Sequence, residues 1–80
     1  ELEILENAIR KAVAILGKQA RICVISFHSL EDRAIKHTFR ALKADGIIDI
    51  ITVKPLTPTA AEVEHNPSSR SSKFRVAERL

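Results

Sequence analysis

The sequence predicts a small α/β layer, and three observations carry that prediction. Apolar residues recur at helical spacing in two segments, 2–16 and 30–42. Between them, at 21–27, lies a continuous apolar run rich in β-branched residues. Two more strand-like segments follow, at 47–53 and 73–80. Helical and strand patterns that alternate along a chain belong to helices that cover a sheet.

In the first segment Leu2, Leu5, Ile9, Ala12, Val13 and Leu16 share one side, with Glu6, Arg10 and Lys11 on the other. Gly17 follows as a carboxyl-terminal cap, which closes a helix over 1–16. Arg21 to Phe27 reads as a strand buried on both faces, as in a parallel sheet. Ser29 and Asp32 have the spacing of a capping box, with Asp in place of Glu or Gln. The stripe behind it is Leu30, Ala34, Ile35, Thr38, Phe39 and Leu42, and Gly46 ends it. Arg33, Lys36, His37, Arg40 and Lys43 then fall on or near the outer side.

Ile47 to Val53 is the next strand, placed nearer an edge because Asp49 interrupts it. Pro55 and Pro58 stop it, and Thr59 caps a short helix through Glu64 that Asn66-Pro67 terminates. After a polar loop at 68–72, Phe74 and Val76 alternate with Lys73 and Arg75, predicting a last strand with Phe74 and Val76 in the core. The second helix then serves as a right-handed crossover between two parallel strands. So few elements leave a sheet edge open, to be covered by further chain or by a second copy.

Eighty residues suffice for one domain, which hides only ~60% of the surface its unfolded form exposes. A large multi-domain enzyme is excluded for this chain. Hydrophobic residues at 45% and charged residues at 29% describe a folded domain, not a disordered tail. The longest uncharged apolar stretch, Ile22 to Phe27, is far short of the ~20 residues that cross a bilayer, so no membrane partner is expected. Cys23 is alone, which excludes an internal disulfide and makes a reducing, cytoplasmic setting the expectation. The chain opens at Glu1 and has no Met, the pattern expected of a processed product or a fragment.

The net charge of +3 is concentrated in the last fifteen residues, where Arg70, Lys73, Arg75 and Arg79 face only Glu78. Clustered cations suit an anionic partner such as nucleic acid, because they displace counterions from phosphates. A solvated surface is the competing explanation.

Two constellations could carry chemistry. His28 and Ser29 stand just beyond the carboxyl end of the first strand and open a helix, the place where open α/β sheets bind ligands. His28 can accept a proton, Ser29 can donate a hydrogen bond, and the free amides of the first turn favour an anion. Equally, Ser29 and Asp32 can be caps, Glu31 a charge at the positive end of the helix dipole and Arg33 a solvated cation. At the second constellation, Asn66-Pro67 makes a turn, and the serines, Arg70, Lys73 and Arg75 offer donors to phosphates. There, Asn66 and the serines can equally be turn residues and the cations surface. With Gly17 and Gly46 the only glycines, no phosphate-cradling loop exists, and His28, His37, His65 and Cys23 lack metal-ligand spacing, so no metal is expected.

The block His-Ser-Leu-Glu-Asp-Arg at 28–33 and the block Asn-Pro-Ser-Ser-Arg-Ser-Ser-Lys-Phe-Arg at 66–75, in this order, resemble the carboxyl-terminal end of the MraW/RsmH family. Members of that family are S-adenosylmethionine-dependent methyltransferases that act on the N4 of a cytosine in 16S ribosomal RNA. The resemblance implies a three-layer fragment of a class I (Rossmann-like) methyltransferase sheet, with three strands of which the last is antiparallel and lies between the other two. That expectation replaces the parallel arrangement read from the residues. It also implies His28 and Ser29 as catalytic candidates, Arg33, Asn66, Arg70, Lys73 and Arg75 as RNA-binding residues, and 16S rRNA or the small ribosomal subunit as partner.

S-adenosylmethionine would be the cofactor of the parent family, held by a half that lies upstream, so none is expected to bind this chain alone. The chain, 1–80 as one domain, would be inactive by itself. Two departures from the family pattern stand out: Gly17-Lys-Gln-Ala-Arg21 replaces a Pro-Gly-Gly type turn, and only Ala44-Asp-Gly46 precedes the next strand. The alternatives are a stand-alone RNA-binding module that uses the basic tail, or a structural fragment without activity that covers its open sheet edge as a homodimer.

Overall fold

The computed structural model describes residues 2–80. In chain order the elements are α1 (Leu2–Ile15), β1 (Arg21–Ser26), α2 (Ser29–Ala44), β2 (Ile48–Ile50), α3 (Ala60–His65), a 3-10 turn (Pro67–Ser71) and β3 (Lys73–Arg79). The fold is α/β, with a three-stranded sheet in the order β1-β3-β2 and β3 antiparallel to both neighbours. β1 and β2 thus run the same way, joined by α2, with β3 between them. The long return through α3 brings the last strand back between them, where both of its edges find partners.

The core lies between the two long helices and one face of the sheet. Ile9 and Val13 of α1 meet Ile35, Phe39 and Leu42 of α2 over Ile48 and Ala77. The helical spacing that marked these residues is what places them together. Buried Thr38 is accommodated because its Oγ1 donates to the Ala34 carbonyl at 2.8 Å.

Strand parity decides which side chains face the helices. The register pairs Ile22 with Ala77 and Val24 with Arg75, so Arg75 and Ala77 lie on the covered face, both fully buried. Phe74 and Val76 therefore point to the opposite face and are only half-buried, the reverse of the sequence expectation. On that face Cys23 and Ile25 are exposed, Ile25 at 58%, so β1 is covered on one side and not on two.

Arg75 can occupy the core face because Asp32 of α2 meets it there. Arg75 Nε donates to Asp32 Oδ1 at 2.7 Å and Nη2 donates to Oδ2 at 2.9 Å, a two-point bond between side chains each 7% exposed as residues. This overturns the capping box expected from Ser29 and Asp32. His28 is the N-cap, with extended backbone and no side-chain cap bond. Glu31 instead reaches back, its Oε1 accepting from the Phe27 amide at 3.4 Å. Asp32 sits in phase with Ile35, Phe39 and Leu42, so its carboxylate takes the inward position that the stripe assigned to Leu30, itself 62% exposed.

The turns follow local chemistry. Gly46, at φ 73°, ends α2 with its amide on the Lys43 carbonyl (2.9 Å) and that of Ile47 on the Leu42 carbonyl (3.0 Å), the double bond of a Schellman cap. After α1 the left-handed residue is Gln19, at φ 69°, and not Gly17. β2 is short because both Ile51 and Thr52 amides converge on the Val76 carbonyl (3.0 and 3.3 Å) while Thr52 Oγ1 accepts from the Val76 amide at 3.1 Å. The side chain replaces the ladder as the chain turns away. Thr59 and Glu62 form the capping box that opens α3.

Three outcomes are expected. Gly46→Ala loses about 1–2 kcal/mol in urea unfolding, because a Cβ disfavours the left-handed backbone, whereas Gln19→Gly gains stability. Arg75, through its hydrogen bond first, holds the Asp32 carboxyl below its ordinary 3.8 against the opposing effect of burial. The stability that this lowered value confers is complete above the unfolded-state value and is lost as pH falls through the native one. Asp32→Asn should cost about 3 kcal/mol at neutral pH and flatten the acid limb of a stability-versus-pH curve; an unchanged limb would show that the pair does not govern it.

Candidate functional site

An open depression of about 770 Å³ lies where the first turns of α1 and α2 meet, lined by Leu2, Glu3, Leu5, His28, Ser29, Leu30 and Glu31. Its position follows from the chain: β1 ends at Ser26, two residues carry the turn, and α2 begins at Ser29. The Asp32 amide is the first in α2 to bond within the helix, to the His28 carbonyl at 3.0 Å. The amides of Ser29, Leu30 and Glu31 are therefore left as donors at the helix start. Neither the His28 ring nor the Ser29 hydroxyl is engaged in a cap. Leu2 and Leu30 add exposed apolar surface, so the depression combines apolar wall with a few polar groups, the composition of a small-ligand site.

The cations expected to bind RNA separate into three groups. Lys73 pairs in register with Ser26, at the carboxyl end of β1 and so at the same end of the sheet as His28 and Ser29. Lys73 and Lys36 both lie near enough to Asp32 to add to the lowering of its carboxyl pKa. Arg33 is exposed on α2, one residue past Asp32. Arg75, by contrast, is inside the fold with its Nε and Nη2 engaged by Asp32, and the expected phosphate contact gives way to a structural bond.

Asn66 and Arg70 belong to a segment that borders the opposite face of the sheet. There Ser69 and Ser72 line a second depression of about 440 Å³ with Ile25, Leu56 and Phe74. Asn66 Oδ1 accepts from Ser68 Oγ at 2.6 Å, and the Asn66 carbonyl accepts from the Ser69 amide and hydroxyl at 2.9 and 2.8 Å. Asn66 thus organises the turn, while Arg70 is exposed at its surface.

Sequence reasoning did not find the partnership of Asp32 with Arg75. The available signal was phase, since a carboxylate three residues before Ile35 falls on the apolar stripe. It also missed Ser26, whose buried Oγ has no hydrogen-bond partner among the described residues. A Cβ at Gly17 or Gly46 would meet nothing within 4 Å, so neither glycine forms a close backbone cradle. Among the described residues no group of three or more His, Cys, Asp or Glu could hold a metal ion, and no helix is long and apolar enough to cross a membrane.

Comparison with known proteins bears on the same residues. A family model described as the MraW methylase family matches residues 1–80. Among curated proteins, the ribosomal RNA small subunit methyltransferase H of Sulfurihydrogenibium azorense is 51% identical over 80 residues, covering 100% of this chain and 27% of that protein. The protein of the same name from Synechococcus elongatus is also 51% identical, with 26% of its length covered. That of Clostridioides difficile is 41% identical over 95 aligned residues, with 30% covered. The chain thus spans about 27% of the first of these relatives. Since the family model matches its whole length, this chain belongs to the MraW methylase family.

Proposed function

We propose that the chain is the carboxyl-terminal part of an S-adenosylmethionine-dependent methyltransferase acting on cytosine N4 of 16S rRNA, and that it supplies the RNA-side wall of the reaction pocket. The observation that carries this reading is the identity of about half of all residues to proteins named for rRNA methylation, across the entire chain and only 27% of their length. The sheet order supports it as well, since β3 antiparallel between β1 and β2 suits the end of a class I, Rossmann-like sheet.

The exocyclic amine of cytosine is a poor nucleophile because its lone pair is delocalised into the ring. A methyltransferase must therefore take the base out of its stack, hold the amine in line and accept its proton. In this reading His28 and Ser29 bind the edge of the displaced base at the end of β1, with Leu30 against its plane. Lys73, Arg33 and Arg70 hold phosphates on either side. The Asp32–Arg75 bond keeps the strand-to-helix turn in place while they act. The methyl donor is held by the remaining part of the parent enzyme, and so is the uncovered edge of β1, which in isolation would favour a homodimer.

In the full-length enzyme His28→Ala should lower kcat/KM for RNA by about 10–100-fold, the cost of one lost hydrogen bond in a desolvated site, with the fold intact by circular dichroism. The 80-residue chain alone should give no heat on calorimetric titration with S-adenosylmethionine. Unchanged turnover and RNA affinity in His28→Ala would remove His28 from the mechanism, and measurable cofactor binding by the short chain would contradict the division of labour.

A further inference from the structure

α2 carries a feature that neither the depression nor the tail explains. From Arg33 to Ala44 it contains Arg33, Lys36, His37, Arg40 and Lys43 and no acidic residue. At 3.6 residues per turn these five side chains fall within about one third of the helix circumference. That sector lies to one side of Ile35, Phe39 and Leu42, which face the core, with Lys36 and Lys43 nearest to them. Arg33, His37, Arg40 and Lys43 are exposed and Lys36 is half-buried. None of the four full charges takes part in an ion pair among the described residues, where the pairs are Arg10–Glu6, Arg21–Glu78 and Arg75–Asp32.

Surface helices normally intersperse acidic residues to relieve such repulsion, since like charges at i and i+4 destabilise a helix. α1 does so, with Glu6 accepting from Arg10 at 3.2 Å. α2 keeps its cations uncompensated over three turns. Its acidic residues, Glu31 and Asp32, sit in the first turn, and Asp32 is buried against Arg75.

We infer that Lys36, Arg40 and Lys43 form a ridge that binds successive phosphates of an RNA strand, extending the substrate contact along the outer face of α2, away from the base-binding end. Side chains three and four residues apart on a helix stand ~5–6 Å apart, a spacing that lets each meet a different phosphate along one strand. The ridge begins one helical turn after Asp32, and Lys73 pairs in register with Ser26 at the end of β1 that leads into α2, so the ridge extends from the proposed site. Its chemistry positions RNA and reads no sequence, because point charges on phosphates carry no base information. The inference rests on the rRNA methyltransferase reading and deepens it by naming a surface for the substrate backbone.

The test uses the full-length protein, a 16S rRNA fragment and a salt series. Lys36→Gln/Arg40→Gln/Lys43→Gln should make the slope of log affinity against log salt shallower by about two to three, since each lost phosphate contact removes ~0.7–0.9. Arg10→Gln/Lys11→Gln/Lys18→Gln, which removes as much charge from α1 and the turn after it, should change the slope by less than about one. Methyl transfer at saturating RNA should survive in the α1 variant. Equal slopes in the two variants, or an unchanged slope in the α2 variant, would overturn the ridge while wild-type methyl transfer still upheld the parent reading. Wild-type protein with neither RNA affinity nor methyl transfer would overturn both.

Discussion

Asp32 and Arg75 stand 43 residues apart in the chain, one in the first turn of α2 and the other in the central strand, and they meet through two hydrogen bonds in the interior. Each would be untenable there without the other, because a buried unpaired charge is strongly unfavourable. The bond sets the height of α2 over β3 and holds the turn at Phe27–His28 against the end of the sheet. It also joins the two sequence blocks by which the family is recognised, since Asp32 lies in the first and Arg75 in the second. The arrangement of His28, Ser29 and Lys73 at one end of the sheet depends on it.

The rest of the molecule explains why so much rests on one bond. Among the described residues the buried apolar side chains are Ile9, Val13, Ile35, Phe39, Leu42, Ile48 and Ala77, a small core for a domain of this size. Ile25, Leu56 and Val53 are exposed on the side of the sheet or the loop after it. A sheet covered on one face has half the usual means of fixing a helix in register, and a two-point charged bond provides directional restraint that apolar packing lacks. The same economy appears at Thr52, whose hydroxyl takes over a ladder position, and in Thr59 and Glu62, whose side chains each accept the other's backbone amide at the start of α3.

Much of this was readable in the residues. The stripe Ile9/Val13 and the stripe Ile35/Phe39/Leu42 gave both helices and the contact between them, because burial at helical spacing leaves a strong periodic trace. Gly46 ended α2 as expected, since its backbone requires a residue without a Cβ. The last strand is legible in the residues, but its inward face is not: Arg75 and Ala77 are buried. Alternation identifies two faces, and Phe74 and Val76 look more like core than Arg75 does; only the pairing with β1, together with a carboxylate waiting on α2, decides the matter. The role of Asp32 is hidden for a related reason: near a helix start an Asp reads as a cap, and its long-range partner has no local trace. At the site, His28 and Ser29 were legible as a strand-end pair, whereas the separation of Arg70 from Lys73 onto different sides of the sheet depended on the path of the 3-10 turn.

A double-mutant cycle on Asp32→Ala and Arg75→Ala, read by urea unfolding, tests the central claim most directly. If the two side chains act as one restraint, each single change is strongly destabilising and the double change adds little, giving a coupling of about 2 kcal/mol or more. A coupling below about 0.5 kcal/mol, the range of independent sites, would contradict the claim that this bond holds the site together.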